Sequence, residues 1–248
     1  MDTKETLVQK NGLDDNGWKG LFILGGICAI LGVLVGVTDI VITMLSGAST
    51  EQSHRTMAEW FSFFQTNPLF AFQSLSFPQV ISIILGIPLF LALYGAHRRI
   101  NQAFASLALF ISVIGGAVFI VNNAAIPLFV LSEKFASATT EVQRNLYLAA
   151  GEAILVKGED FTFAVFIAFF LSELAGLAMA LVMLRGKFFG KPTSYTGIAG
   201  FGLMIGFTCL SPIASFYQAA MIIAMLGGLL CMAWYILTAL RLFKGAPK

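Results

Sequence analysis

The sequence predicts an all-α protein: a polytopic transmembrane helical bundle of about six membrane-spanning helices, with two outer amphipathic helices. Three observations predict it. Hydrophobic residues make up 58% of the 248 and charged residues only 11%, far below the roughly 25% charge of soluble domains. Apolar runs long enough to cross roughly 30 Å of hydrocarbon, at about 1.5 Å per helical residue, recur along the whole chain. The charges crowd into the short gaps between those runs, as a bilayer requires.

The segments span residues 20–45, 79–96, 102–131, 161–184, 195–216 and 219–242, in a single integral membrane domain covering 1–248. The first apolar stretch is much longer than the roughly 7 to 15 residues of a signal-peptide core, so it is expected to stay as an anchor although Ser46-Gly47-Ala48 suits cleavage. Its Gly25, Ala29, Gly32, Gly36, Asp39 and Thr43 fall on one face, which is expected to look into the bundle, because helices in lipid meet through small residues. Ser172, Gly176 and Ala180 on the fourth segment are read the same way, as are Gly202 and Gly206 on the fifth and Ala220, Ala224, Gly227 and Cys231 on the sixth. Pro88, Pro127 and Pro212 each lack an amide and crowd the carbonyl four residues back, so kinks are expected in the second, third and fifth segments. The last two segments, separated only by Tyr217 and Gln218, are expected to form a tight antiparallel hairpin.

Two gaps have helical periodicity of their own. From Thr56 to Asn67, Met57, Trp60, Phe61 and Phe64 recur opposite Glu59, Ser62 and Gln65. From Thr140 to Lys157, Val142, Leu146, Ala149 and Ala153 line one face, with Glu141, Arg144, Asn145 and Glu152 away from it. Both read as helices lying flat in the headgroup layer, with a lid over the outer mouth as the alternative.

Lys and Arg set the orientation. One side holds Lys4, Lys10, Lys19, Arg98, Arg99, Arg185, Lys187, Lys191, Arg241, Lys244 and Lys248, the other Arg55, Lys134, Arg144 and Lys157. Eleven against four places both termini in the cytoplasm of a cell membrane whose lipids are the protein's first partners. The basic turns read as this topology signal in preference to anionic-lipid binding. A net charge of +2 offers nucleic acid no footprint, so that partner is excluded.

The run Leu91-Ala92-Leu93-Tyr94-Gly95-Ala96-His97-Arg98-Arg99-Ile100-Asn101, the Ala/Ser/Leu/Gly-rich third segment and the Lys191-Pro192 turn toward Gly197 resemble a family of prokaryotic six-helix integral membrane proteins without an assigned activity. Thr193-Ser194-Tyr195-Thr196 intervenes before Gly197, where that family opens its helix directly on Leu-Gly. The resemblance implies a fold and a membrane address, and no functional residues.

Chemistry is sparse. There is no HExxH, Walker-type loop or GxSxG, and His54 and His97 fall on opposite sides of the expected topology, so no metal or cofactor site is read. Cys28, Cys209 and Cys231 sit inside apolar runs as packing residues. Glu173 is the exception: twelve residues from Arg185 and thirteen from Asp160, it is expected near the midplane. An unpaired carboxylate there costs about 2.5–3.5 kcal/mol, so it must be protonated, paired or turned to water. Asp39, Asn122 and Asn123 are expected near the outer boundary, where with Glu173 they form the candidate ligand-binding set of an outer vestibule. The function read from them is a membrane receptor or carrier that binds an ion, a proton or a small ligand within the bundle from the outer side. A structural or accessory membrane protein is the rival, and a lipid-modifying enzyme using Asp39 with Glu173 is a weaker alternative; enzymatic activity is not the expectation.

Overall fold

A computed structural model describes residues 2–46, 55–158, 162–186 and 188–245, with the side chains of 2–17 and 46 left aside. The suggested cleavage at Ser46-Gly47-Ala48, and the readings of His54, Asp160, Phe161 and Lys187, lie outside the described residues. The described elements are all helical: α1 (Asp2–Ser46), α2 (Met57–Thr66), α3 (Pro68–Ser74), α4 (Phe77–His97), α5 (Gln102–Asn122), α6 (Ala125–Ala136), α7 (Glu141–Gly158), α8 (Phe163–Arg185), α9 (Lys191–Leu210) and α10 (Tyr217–Phe243), with a 3₁₀ turn at Ala214–Phe216.

Six of these runs are long and apolar enough to cross a bilayer: Trp18–Leu45, Phe77–His97, Gln102–Ala136, Glu141–Arg185, Lys191–Leu210 and Ala214–Phe243. They turn large apolar side chains outward, including Leu34 at 55%, Phe110 at 64% and Leu229 at 63% exposure. Water would make that surface aggregate, whereas acyl chains solvate it.

Prolines explain where the helices depart from expectation. Pro88 lies within an unbroken α4. Pro127 splits the third expected segment: it has no amide for the Asn123 carbonyl, α5 ends at Asn122, and α6 starts at Ala125. Pro212 does not kink a helix; it follows the end of α9, which is capped by Ser211. The connector to α10 is therefore longer than two residues, and Tyr217 and Gln218 belong to α10 itself.

The chain divides into two compact units. The first comprises 1–33, 84–115 and 170–248. Its core gathers Phe22, Ala29, Leu89, Ala92, Leu93, Met179, Phe188, Phe201, Trp234 and Leu242. Close approach through small residues dominates it: a Cβ on Gly25 would sit 2.6 Å from that of Ala92, on Gly197 2.5 Å from the Trp234 ring, and on Gly200 3.0 Å from Cys231 Sγ. Gly227 faces Met204, so each step up α9 is a step down α10, the antiparallel seam that the spacing predicts. The α9 glycines closest in that seam are Gly197 and Gly200; of the expected pair, Gly206 faces Ile223 of α10, which a Cβ there would meet at 3.9 Å, whereas Gly202 faces open space. Gly176 of α8 abuts the Phe201 ring, and Ala180 meets Gly197. On α1 the expected inward face is buried at Gly25 and Ala29, while Gly32 has nothing against it.

The second unit comprises 34–83 and 116–169. Here rings do the packing: Phe61 lies 5.2 Å from Phe135, and Phe72 lies 5.4 Å from both Phe64 and Phe129. The expected face of α2, Met57, Trp60, Phe61 and Phe64, is buried as read, and it packs against α6 and α7. For α7 the expected face is wrong. Val142 and Leu146 are 80% and 65% exposed, and the residues that pack inward are Tyr147, Leu148, Gly151, Ile154 and Leu155. Gly151 explains the choice, since a Cβ there would strike Met57 and Phe61. The helix is apolar on two sides, and a bulky partner selects the side with the small residue. A smaller cluster of Val80, Phe119, Ala168 and Phe169 completes the unit.

Candidate functional site

Glu173 lies on α8 ten residues past its start at Phe163, about 15 Å along the helix, and is 7% exposed. The neighbouring turn of α8 is held close to α9 by Gly176 beneath Phe201. This closeness lets the carboxyl reach across: Thr208 Oγ1 donates to Glu173 Oε1 at 2.8 Å. Glu173 Oε2, also buried, has no hydrogen-bond partner among the described residues. An ionised carboxylate half satisfied in this setting is unfavourable, so the arrangement suits a proton, a cation or a donor group on the second oxygen.

The other three candidates belong to the second unit and have partners there. Asp39 Oδ1 accepts from Gln73 Nε2 at 3.2 Å, and the same amide donates to Thr43 Oγ1 at 2.7 Å. Asn122 Nδ2 donates back to the Val118 carbonyl of its own helix at 2.7 Å. Asn123 Nδ2 donates to Leu75 O at 2.8 Å, while its Oδ1 accepts the Ala125 amide at 3.1 Å. Asn123 thus stitches the interruption before α6 to the end of α3, a structural duty that Pro127 creates. The two asparagines point to different partners, Asn122 back into α5 and Asn123 from the break after it. None of these hydrogen bonds involves Glu173.

Sequence reasoning missed Thr208, Gln73 and Ser211. Hydroxyls and amides are common in helices, and only the tertiary fold shows which of them meets a carboxylate. One signal was legible: Pro212 lies four residues after Thr208 and marks that carbonyl as unsatisfied.

At the chain end bearing the basic turns, His97 is fully buried and stacked on Phe189 at 5.5 Å, with Nδ1 2.8 Å from Leu93 O. Arg98 lies over Trp18 at 4.1 Å, and Arg241 Nε donates to Phe188 O at 2.5 Å. These contacts bind the turns to the first unit's core. Among the described residues no three His, Cys, Asp or Glu side chains are grouped to hold a metal.

Fold and surface together define the class: a multi-pass helical membrane protein with a buried carboxyl in its fourth span. No family model, curated protein or solved structure matches the chain.

Proposed function

We propose that this protein is a membrane receptor or carrier that binds an ion or small ligand at Glu173. The observation that supports it is the buried, unpartnered Glu173 Oε2 beside a Thr208-bonded Oε1. Ionisable groups inside membrane helices are costly and mark ion, proton or ligand positions more often than packing. Access is from the outer side, with both termini cytoplasmic, following the excess of Lys and Arg in the gaps expected to face inward. Asp39 belongs to this reading as an outer polar group, with Gln73 positioning it.

The test is thermal unfolding of the full chain in detergent across pH, for wild type and Glu173→Gln. A pH-dependent shift in wild type that disappears in the variant is expected. Equal curves for both proteins would sink the reading.

A structural or accessory role is the second reading, favoured by the way Asn122 and Asn123 spend their amides on backbone carbonyls. It requires the Glu173→Gln protein to be at least as stable as wild type at every pH. Incubation with labelled lipids addresses the enzymatic alternative, and turnover abolished by Glu173→Gln would replace both readings.

A further inference from the structure

The ligand class at Glu173 follows from the end of α9. That helix stops at Leu210, and the backbone runs irregularly through Ser211 to Ile213 before the next turn. This connector lies between the fifth and sixth spans, and the buried polar groups at its start need partners. The Thr208 carbonyl would take the amide of residue 212, but that residue is proline. The Cys209 carbonyl would take the Ile213 amide, which bonds Leu210 O at 3.0 Å instead. Ser211 keeps its amide on Phe207 O at 2.8 Å, yet its hydroxyl, in a side chain 5% exposed, has no partner among the described residues. Thr208 and Ser211 are three residues apart and share one side of the last turn of α9, where Glu173 is already bonded to Thr208. The corner brings together the two carboxyl oxygens of Glu173 and the Thr208 hydroxyl, with the Ser211 hydroxyl one turn further on, and the Cys231 thiol of α10 feels the Glu173 charge. The corner also stands at the negative end of the α9 dipole.

We propose that this corner is a binding site for a monovalent alkali cation, sodium foremost, with Glu173 supplying the charge and Thr208 and Ser211 the neutral oxygens. The proposal rests on the reading of Glu173 as a ligand site and gives that ligand a chemistry. One carboxylate among neutral oxygens balances one positive charge. A divalent ion would leave a net charge at this buried corner, and the carboxylate and hydroxyl oxygens favour a hard cation over zinc or copper. Helix C-terminal ends that face a cation are a known physical solution in membrane proteins. The same ion would satisfy Glu173 Oε2 and Ser211 Oγ together, which no described side chain does.

The experiment is the thermal midpoint of the full chain in detergent, titrated with NaCl against N-methyl-D-glucamine chloride at constant ionic strength, so that screening is unchanged. KCl and LiCl serve as parallel arms. A saturable rise with NaCl is expected in wild type, since an ion that binds only the folded state stabilises it by mass action. Ser211→Ala should raise the half-saturating sodium concentration by roughly tenfold, and Glu173→Gln should abolish the response. A wild-type midpoint flat in sodium, or a Ser211→Ala protein with wild-type half-saturation, overturns the proposal. Should sodium have no effect while the Glu173-dependent pH response persists, the ligand-site reading stands with the proton as ligand and the sodium assignment alone fails. If both responses are missing, both fall.

Discussion

The two units use polar groups to different degrees. In the second, Asn122, Asn123, Asp39, Gln65 and Glu59 all have hydrogen-bond partners, only Arg55 Nη1 and Gln73 Oε1 are buried without one among the described residues, and the core is built of interlocking rings. In the first, neighbouring helices press closely onto Gly176, Gly197 and Gly200, and buried His97 Nε2, Glu173 Oε2, Ser194 Oγ, Ser211 Oγ, Trp234 Nε1 and Thr238 Oγ1 have no partner among the described residues. Close approach through glycine maximises van der Waals contact in lipid, and it leaves little room for a polar side chain to swing toward a donor. Aromatic packing around α2, α6 and α7 resembles the core of a water-soluble domain, where polar groups migrate to the rim and pair.

That contrast can be broken at several points. The largest effect should come from Phe64→Ala, which removes a 1%-exposed ring touching Phe72 and Phe129 and should cost about 3–5 kcal/mol in a denaturation series. Asn123→Ala follows at about 2 kcal/mol, because it orphans both the Leu75 carbonyl and the Ala125 amide; Asn122→Ala, which loses only an intrahelical bond, should cost well under that. If the two asparagine variants are equally affected, the stitching role of Asn123 is wrong.

Smaller still is the start of α2. Thr56 and Glu59 form a reciprocal capping box, with the Thr56 amide donating to Glu59 Oε2 at 2.6 Å. Thr56→Ala should cost about 1 kcal/mol. The Thr56 backbone and side-chain hydrogen bonds hold the Glu59 carboxyl below its ordinary range. Its folded value is thus lower than its unfolded one, so its contribution is complete above roughly pH 4.3 and disappears as pH falls through the folded value. Melting followed from about pH 6 down to pH 3 should show wild type losing more than Glu59→Gln over that interval. The smallest change should be Trp234→Phe in the first unit, at about 1 kcal/mol or less, because the indole N–H has no partner to lose. A cost several times larger would mean that the N–H is bonded.

Much of this architecture could be read from residue order. The spans were legible because a bilayer demands long uninterrupted apolar runs, and the register of α9 on α10 was foreshadowed by Ala220, Gly227 and Cys231. The buried face of α2 was also legible, since only one side of Met57–Thr66 is aromatic and apolar. α7 was not, because both of its sides are apolar and the choice between them depended on where Met57 and Phe61 left room beside Gly151. The break at Asn123 was half legible: Pro127 announced a disturbance, but the rescue by the Asn123 side chain required knowing that Leu75 would be opposite.

The sequence by itself determined the solvent this chain requires, the number of crossings and the presence of one acidic group, Glu173, deep within a span, because hydropathy and length are local properties that no packing arrangement alters. Which atoms surround Glu173 was decided only by tertiary structure. Thr208 is thirty-five residues away and became its partner through the approach of α9 to α8 over Gly176. Ser211 became the cap of α9 because Pro212 ended the helix there. Hydrogen bonding acts over a few ångströms, so a site made of residues from separate helices exists only once their backbones have been brought together.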